Sequence, residues 1–363
     1  MTRNLMIYNF ASGPSMLPEI VLQRAQSEML NWNGTGLSVM EMPFTCDEFQ
    51  SIAKQAKTNL ASLLDLTENY HILFMQGGAY GHFSLLAMNL LGKNKQADYV
   101  QTGHWSNRAT NEARRYADIN IVASSEASGF DHVPEQSKWN INNKAAYCHI
   151  TSNETADGVQ FHWTPDTGTV PLIADVTSDF LTRKLDVSQY GMIYASAQKN
   201  VGVAGLTIVI IRDDLLDQYM DITPTVFNYS EQARNNSRVN TLPTYSIYIA
   251  GLIFEWLLNL GGLSAIEYVN RRKAETLYTA IDNNDLYQCS VNSVDRSTVN
   301  ICFNLSNPAL EETFLNEAND LQLINLKGHG AKGGIRASLY NAMPQSGVDA
   351  LTSFMQDFSI KHG

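Results

Sequence analysis

Three short stretches of the chain carry side chains that could do chemistry together. In Tyr194-Ala195-Ser196-Ala197-Gln198-Lys199-Asn200 a lysine follows an apolar run and precedes the Gly-containing stretch 201–205. The small residues around it, Ala195, Ser196, Ala197 and Gly202, leave room for a bulky group to approach the backbone. Ile173-Ala174-Asp175 ends a second apolar run on an acid, at the kind of strand end where open α/β sheets place their ligands. Gly77-Gly78-Ala79-Tyr80-Gly81 lies between the apolar run His71–Met75 and a helical pattern. Free N–H groups and the positive end of a helix dipole there would form a cradle for an anion such as phosphate. Each stretch alone has a plainer reading: a tight turn without ligand, an acid that caps the next turn, a solvated lysine. Together they are the three parts that a pyridoxal phosphate site requires. The cradle takes the phosphate, the amine condenses with the aldehyde, and the acid keeps the ring nitrogen protonated so that the ring accepts carbanion electrons. The chain has no GxSxG, GxxxxGK[ST] or HExxH, and its Gly-rich turn does not match GxGxxG, which removes the hydrolase-elbow, P-loop and zincin readings.

The elements that must position these groups are visible as short apolar runs bounded by Gly, Asn, Asp or Ser. Buried strands are predicted at His71–Met75, Ala97–Gln101, Ala145–His149, Val170–Asp175, Met192–Ala195 and Leu206–Ile211. Helical spacing at His82–Leu91 and Ser106–Tyr116 alternates with them, the mark of an α/β sheet with a largely parallel core. Pro18–Trp32 and Asp47–Leu64 read as helices before this unit, and Pro243–Leu260 as a long helix stopped by Gly261-Gly262, taken as the domain boundary. Beyond it, helical patterns at Ile266–Asp282 and Gly347–Phe358 and a strand at Val299–Leu305 suggest a smaller α+β lobe.

Composition narrows the class of partner. The 363 residues are 44% hydrophobic and carry a net charge of −11, so two lobes are expected and no overall positive field exists to draw nucleic acid or anionic lipid. No apolar stretch reaches the ~20 residues of a bilayer span, and Met1–Phe10 lacks the long apolar centre of a secretory leader. A cytoplasmic location is the expectation. Cys46, Cys148, Cys289 and Cys302 are widely spread with no CxxC, which fits reduced thiols and no metal site.

Over nearly its whole length the chain resembles the phosphoserine aminotransferase family of fold-type I, class V pyridoxal phosphate enzymes. The resemblance rests on Asn9-Phe10-Ala11-Ser12-Gly13-Pro14, Ser38-Val39-Met40-Glu41, Gly77-Gly78, Ala97-Asp98-Tyr99-Val100, Ser152-Asn153-Glu154-Thr155, Ala174-Asp175, Gln198-Lys199-Asn200, Asn240-Thr241-Leu242-Pro243-Thr244, Lys327-Gly328-His329, Gly333-Gly334-Ile335-Arg336-Ala337-Ser338 and Tyr340-Asn341-Ala342-Met343-Pro344. It implies an α/β fold, with a large domain at 16–260 built on a mostly parallel seven-stranded sheet, and a small α+β domain from 1–15 and 261–363. It also implies roles. Lys199 would be the cofactor lysine, Asp175 the partner of the ring nitrogen, Trp105 the ring against the cofactor, and Thr155 the neighbour of its phenolic oxygen. Backbone at Ala79 and Tyr80, together with Gln198, would hold the phosphate, with Asn240 and Thr241 reaching over from a second subunit of a homodimer. Arg336 would take the substrate α-carboxylate, as a paired-donor guanidinium can.

Departures from the family cluster at the other end of the substrate. Where the family has a His-Arg pair that reads the distal anionic group, this chain has Phe44-Thr45; Lys327-Gly328-His329 is followed by Gly330 rather than arginine; and Tyr80 replaces an arginine of the Gly-rich turn. Each lost charge-assisted hydrogen bond is worth roughly 1.5–3 kcal/mol, so losing two or three alters specificity by powers of ten. His329 remains as a substrate contact, and Lys332 or Arg108 are candidates to rebuild an anion site. Three readings stay open: a phosphoserine aminotransferase with such a rebuilt site, a transaminase for a non-phosphorylated and less polar 2-oxo acid, and another pyridoxal reaction such as β-elimination or decarboxylation.

Overall fold

The computed structural model describes residues 7–363; most of the Met1–Phe10 stretch read above for a leader lies outside them. In chain order the elements are β1 (Tyr8–Asn9), α1 (Glu19–Ser27), α2 (Asp47–Leu63), β2 (Tyr70–Met75), α3 (Gly78–Leu90), β3 (Gln96–Gln101), α4 (His104–Ala113), β4 (Asp118–Ser124), β5 (Cys148–Thr151), β6 (Leu172–Asp175), β7 (Met192–Ser196), β8 (Thr207–Arg212) and α5 (Tyr229–Arg234). They continue with α6 (Thr244–Asn259), α7 (Gly262–Asp282), β9 (Tyr287–Gln288), β10 (Asn300–Leu305), α8 (Glu311–Asp320), β11 (Leu323–Ile324), β12 (Ile335–Ser338) and α9 (Gln345–His362).

Seven strands form the central sheet in the order β2-β8-β7-β6-β5-β3-β4. All pairings from β7 to β4 are parallel, whereas β8 runs antiparallel to both β7 and β2. The sheet is covered on both faces, which is why its central strands read as continuous apolar runs. Along β8, Ile208 and Ile210 pack with Phe49, Ile52, Leu60, Ile249 and Ile253 of α2 and α6, while Val209 and Ile211 pack with Phe83, Leu86 and Ala109 of α3 and α4. A further core joins Phe10, Leu277, Ile301, Phe303, Phe314, Leu351 and Phe354 around β10 and its antiparallel neighbours β9 and β12. Gly261, before α7, and Gly262, its first residue, both have positive φ where the α6–α7 pair bends by 86°. Helix α7 then spans two cores, with Leu263 and Ile266 in the first and Ala274, Leu277 and Ile281 in the last. Among the described residues no single helix is long and apolar enough to cross a membrane.

Several predicted elements shift, each for a local reason. The helix expected over Pro18–Trp32 ends at Ser27, and a separate turn at Trp32–Gly34 follows in which Asn33 and Gly34 adopt positive φ. The strand expected at Ala145–His149 forms at Cys148–Thr151, because Ala145 is still in a turn bonded to the Asn142 carbonyl. The strand expected from Val170 starts at Leu172, since the Val170 N–H closes a turn on Thr167. The edge strand β4 was not foreseen: it is only half-buried, and its mixed sequence Asp-Ile-Asn-Ile-Val-Ala-Ser hides the period.

Candidate active site

Lys199, Asp175 and the Gly-rich turn meet at the carboxyl ends of β6 and β7. One pocket is lined by Gly78, Ala79, Tyr80, Trp105, Thr151, Asn153, Thr155, Asp175, Thr177, Ser178, Ser196, Gln198 and Lys199. Gly77 takes φ of 103° and Gly78 of 64°, conformations that favour glycine, and they turn the chain from β2 into α3. The N–H groups of the first helical turn at 78–80 have no partner within the helix and border the pocket.

Lys199 follows β7 by three residues. Its Nζ donates to Thr155 Oγ1 and lies 5.6 Å from the centre of the Trp105 ring. Burial lowers its ammonium to about 8, with Asp175 opposing and the nearby Arg336 adding to the shift. At pH 7 about a tenth of such an amine is free, against far less than a hundredth for an ordinary lysine. Asp175 ends β6 almost wholly buried, and its Oδ1 accepts the Thr177 N–H at 2.9 Å. Burial raises its carboxyl above the ordinary range, while Thr177 and the Lys199 charge pull it back.

Trp105 is held by residues that sequence reasoning did not single out. Glu154 accepts the N–H groups of Trp105 and Ser106, each at 2.8 Å, and Asp157 Oδ2 accepts that of His104 at 2.8 Å. Two carboxylates from the β5–β6 connection therefore cap α4, which is why that helix begins at His104 rather than at Ser106. A Cβ at Gly103 would fall 2.5 Å from Glu154 Cδ, so the carboxylate fits because position 103 is glycine. Burial and the neighbouring Asp157 push the Glu154 carboxyl up, and the hydrogen bonds from Ser106 and Trp105 pull it back. The available signal was the repeat of acids three apart in Glu154-Thr155-Ala156-Asp157, just beyond a buried strand.

Arg336, on β12, is not part of the lining; it adjoins it, donating from Nη1 to the carbonyl of the lining residue Thr155 at 3.4 Å. The His329 ring lies tilted 4.5 Å from that of His104 and edge-on 6.0 Å from that of Trp105, and burial, Arg336 and other nearby cations lower its imidazolium. Lys332 is already engaged: its Nζ pairs with Asp157 Oδ1 at 2.6 Å and lies 4.9 Å from the Phe130 ring centre. Tyr80 lines the pocket, and its hydroxyl accepts from Arg108 Nη1 at 3.2 Å. Asn240 and Thr241 are not part of the lining; both lie against Gln76, Asn240 Nδ2 donating to its Oε1 at 2.9 Å and the Thr241 carbonyl accepting from its Nε2 at 3.3 Å. Phe44 and Thr45 are not part of it either. Phe44 lines a separate cleft, and the Thr45 carbonyl accepts from Gln50 at 2.8 Å.

The residues present fit pyridoxal phosphate. Trp105 Nε1, Thr151 Oγ1, Asn153 Oδ1 and Arg336 Nε are buried without a hydrogen-bond partner, and the first three of these residues line the pocket. A polar ligand is what such a group of atoms needs.

The aminotransferase class-V family pattern matches residues 7–351. The chain belongs to the class-V aminotransferases. It is 51% identical to the phosphoserine aminotransferase of Nitrosomonas europaea, covering 98% of this chain and 99% of that one, and 50% identical over the same shares to that of Acinetobacter baylyi. Among solved structures it is similar to the phosphoserine aminotransferase of Bacillus circulans subsp. alkalophilus, with a TM-score of 0.97 at 41% identity over 99% of both chains. It is also similar to the pyridoxal phosphate-bound enzyme of Trichomonas vaginalis, with a TM-score of 0.93 at 37% identity over 97% of this chain and 100% of that one. This class-V enzyme is a pyridoxal phosphate-dependent aminotransferase of fold type I that resembles phosphoserine aminotransferase.

Proposed function

We propose that the enzyme moves the amino group of an amino acid to a 2-oxo acid, taking the α-carboxylate on Arg336 and reading the far end of the substrate differently from phosphoserine aminotransferases. When bound, the cofactor supplies a carbonyl for amine exchange and a ring that withdraws electrons from the substrate α-carbon. Ala79 and Tyr80 N–H and Gln198 would hold its phosphate, Trp105 one of its faces, and Thr155 its phenolic side. Asp175 keeps a negative charge in a dry site, and Lys199 Nζ takes the α-proton and returns it, acting as base and then acid. Loss of the α-carboxylate contact at Arg336 would remove orientation rather than acid–base power.

The observation that carries the altered far end is the pairing of Lys332 with buried Asp157. The cation best placed in sequence to replace the arginine missing at Gly330 is already engaged, and no neutral side chain supplies charge together with paired donors. A second reading, phosphoserine transfer proper, is favoured by the names of the relatives at about half identity and by Arg108 beside Tyr80. The two are separated by kcat/KM for phosphoserine against non-phosphorylated amino acids. We expect a preference for phosphoserine of less than about tenfold; a preference by powers of ten would install the second reading.

The reading includes the division into 16–260 and 1–15 with 261–363, a cytoplasmic location, and a homodimer in which Asn240 and Thr241 complete the neighbour's phosphate site. Their place outside the pocket of their own chain, against Gln76, supports that last element. Dilution to monomer is then expected to release cofactor, followed by ultrafiltration and absorbance; a monomer with full cofactor occupancy would contradict it.

A further inference from the structure

Beyond the pocket, three buried asparagines meet at one turn. The chain after β6 turns at 180–182, and the three consecutive carbonyls there each accept from a different side-chain amide: Phe180 from Asn200 Nδ2 at 2.6 Å, Leu181 from Asn341 Nδ2 at 2.9 Å and Thr182 from Asn270 Nδ2 at 3.0 Å. Two further bonds join the asparagines to one another. The Asn341 N–H donates to Asn200 Oδ1 at 2.9 Å, and Asn270 Nδ2 donates to Asn341 Oδ1 at 2.7 Å. Asn341 is the centre, with its N–H, Nδ2 and Oδ1 all engaged. Lys273, on α7 with Asn270, holds the segment around Asn341: its Nζ donates to the carbonyls of Leu339, Tyr340 and Met343 at 3.2, 2.8 and 3.0 Å. None of these four residues is more than 6% exposed, so the contacts are internal to one chain.

The segments joined here are the ones that carry the chemistry. Asn200 follows Lys199 directly, the turn at 180–182 begins five residues beyond Asp175, and Asn341 lies five residues beyond Arg336. Leu181 adopts φ of 59°, in the left-handed region that a branched side chain enters only at a cost. Directed bonds hold the turn in that conformation. Apolar packing has no preferred angle, whereas a hydrogen bond does, and a buried amide left half-met is costly, so the three segments are fixed in one mutual arrangement. Arg336 stands on β12 among residues of the last core, while Lys199 and Asp175 stand at ends of the central sheet. The place of a substrate carboxylate relative to the amine therefore depends on this join. We propose that Asn341 is a positioning residue of amino transfer: it sets Arg336 against Lys199, so that an amino acid held by its α-carboxylate presents its α-hydrogen to the amine. This rests on the role given to Arg336 above.

The test compares alanine with ethylamine, in which hydrogen replaces the carboxylate, on cofactor-loaded Asn341→Ala enzyme. The single-turnover rate at saturating alanine is expected to fall about a hundredfold, the effect of a misplacement on the order of 1 Å. Half-saturation is expected to change less than about threefold, because Arg336 still binds the carboxylate. Displacement of Lys199 from the cofactor by ethylamine, followed by absorbance, is expected to stay within about twofold. Cofactor content and thermal unfolding show that the variant is loaded and folded. Asn270→Ala removes the bonds to Asn341 Oδ1 and the Thr182 carbonyl but leaves Asn341 in place, and keeps the test available where Asn341→Ala does not fold; a loss of about tenfold is expected, for alanine alone. Equal losses for alanine and ethylamine in loaded variants overturn the proposal, since the asparagines would then hold the amine and not its relation to Arg336. Arg336→Met separates the proposal from the role it rests on. If that variant slows alanine and the asparagine variants do not, the positioning alone is overturned. If it leaves alanine unchanged, the carboxylate role of Arg336 is overturned and the positioning with it.

Discussion

Lys199→Ala is expected to abolish borohydride-stable attachment of pyridoxal phosphate and to slow amino transfer by at least about four powers of ten, the upper range of what one acid–base residue supplies. The amine is the group placed to do both. Its Nζ is fixed by Thr155 Oγ1 beside the Trp105 ring, and its ammonium is lowered to about 8 mainly by burial. Only the free amine attacks a carbonyl, so the fraction competent to react rises with pH until the amine has lost its proton. Cofactor capture by the apoenzyme is therefore expected to accelerate up to a pH of about 8 and then level off, rather than climbing towards the ordinary lysine range. Reduction with borohydride, digestion and mass measurement locate the attachment. A variant that still traps cofactor through another lysine would remove Lys199 from this role, and Lys332, held at 2.6 Å by Asp157, is the lysine from which such a result would be most informative.

The parts of this site that were legible in the sequence are those written within a few residues. Strands β6, β7 and β8 are buried on both faces, so Leu-Ile-Ala-Asp, Met-Ile-Tyr-Ala-Ser and Thr-Ile-Val-Ile-Ile show as apolar runs, and the acid or lysine at or just past such a run marks a strand end. Gly77-Gly78 likewise reads as a turn because the conformations it adopts there are costly for other residues. The supports of the site were not legible, because they join residues far apart. Glu154 caps a helix that begins 50 positions earlier, and Arg336 meets Thr155 across 181 residues. The fate of Lys332 was beyond sequence reasoning for the same reason: spacing offered it as a replacement cation, and only the fold brings buried Asp157 against it.

Asp175→Asn is expected to leave cofactor bound while slowing proton removal from the substrate α-carbon by about three powers of ten. Asparagine keeps the size of the side chain, and its amide oxygen can accept the Thr177 N–H as the carboxylate does at 2.9 Å. What it loses is the charge. At contact distance and an effective dielectric near 20, an ion pair is worth about 4 kcal/mol, and each 1.36 kcal/mol of barrier corresponds to about a tenfold change in rate. The chain isolates that charge: Asp175 is almost wholly buried, and desolvation alone would raise its carboxyl, with Thr177 and Lys199 acting against the rise. A protein that holds a carboxylate in such a place, at the end of a strand and next to its one pocket lysine, has placed it where a cationic ring nitrogen would feel it most. Single-turnover absorbance with cofactor content measured in parallel separates the two effects. Near-normal turnover in a fully loaded variant would take Asp175 out of the reaction. A slow rate rescued to normal by Asp175→Glu, with no change in loading, would show that the charge rather than the shape is required.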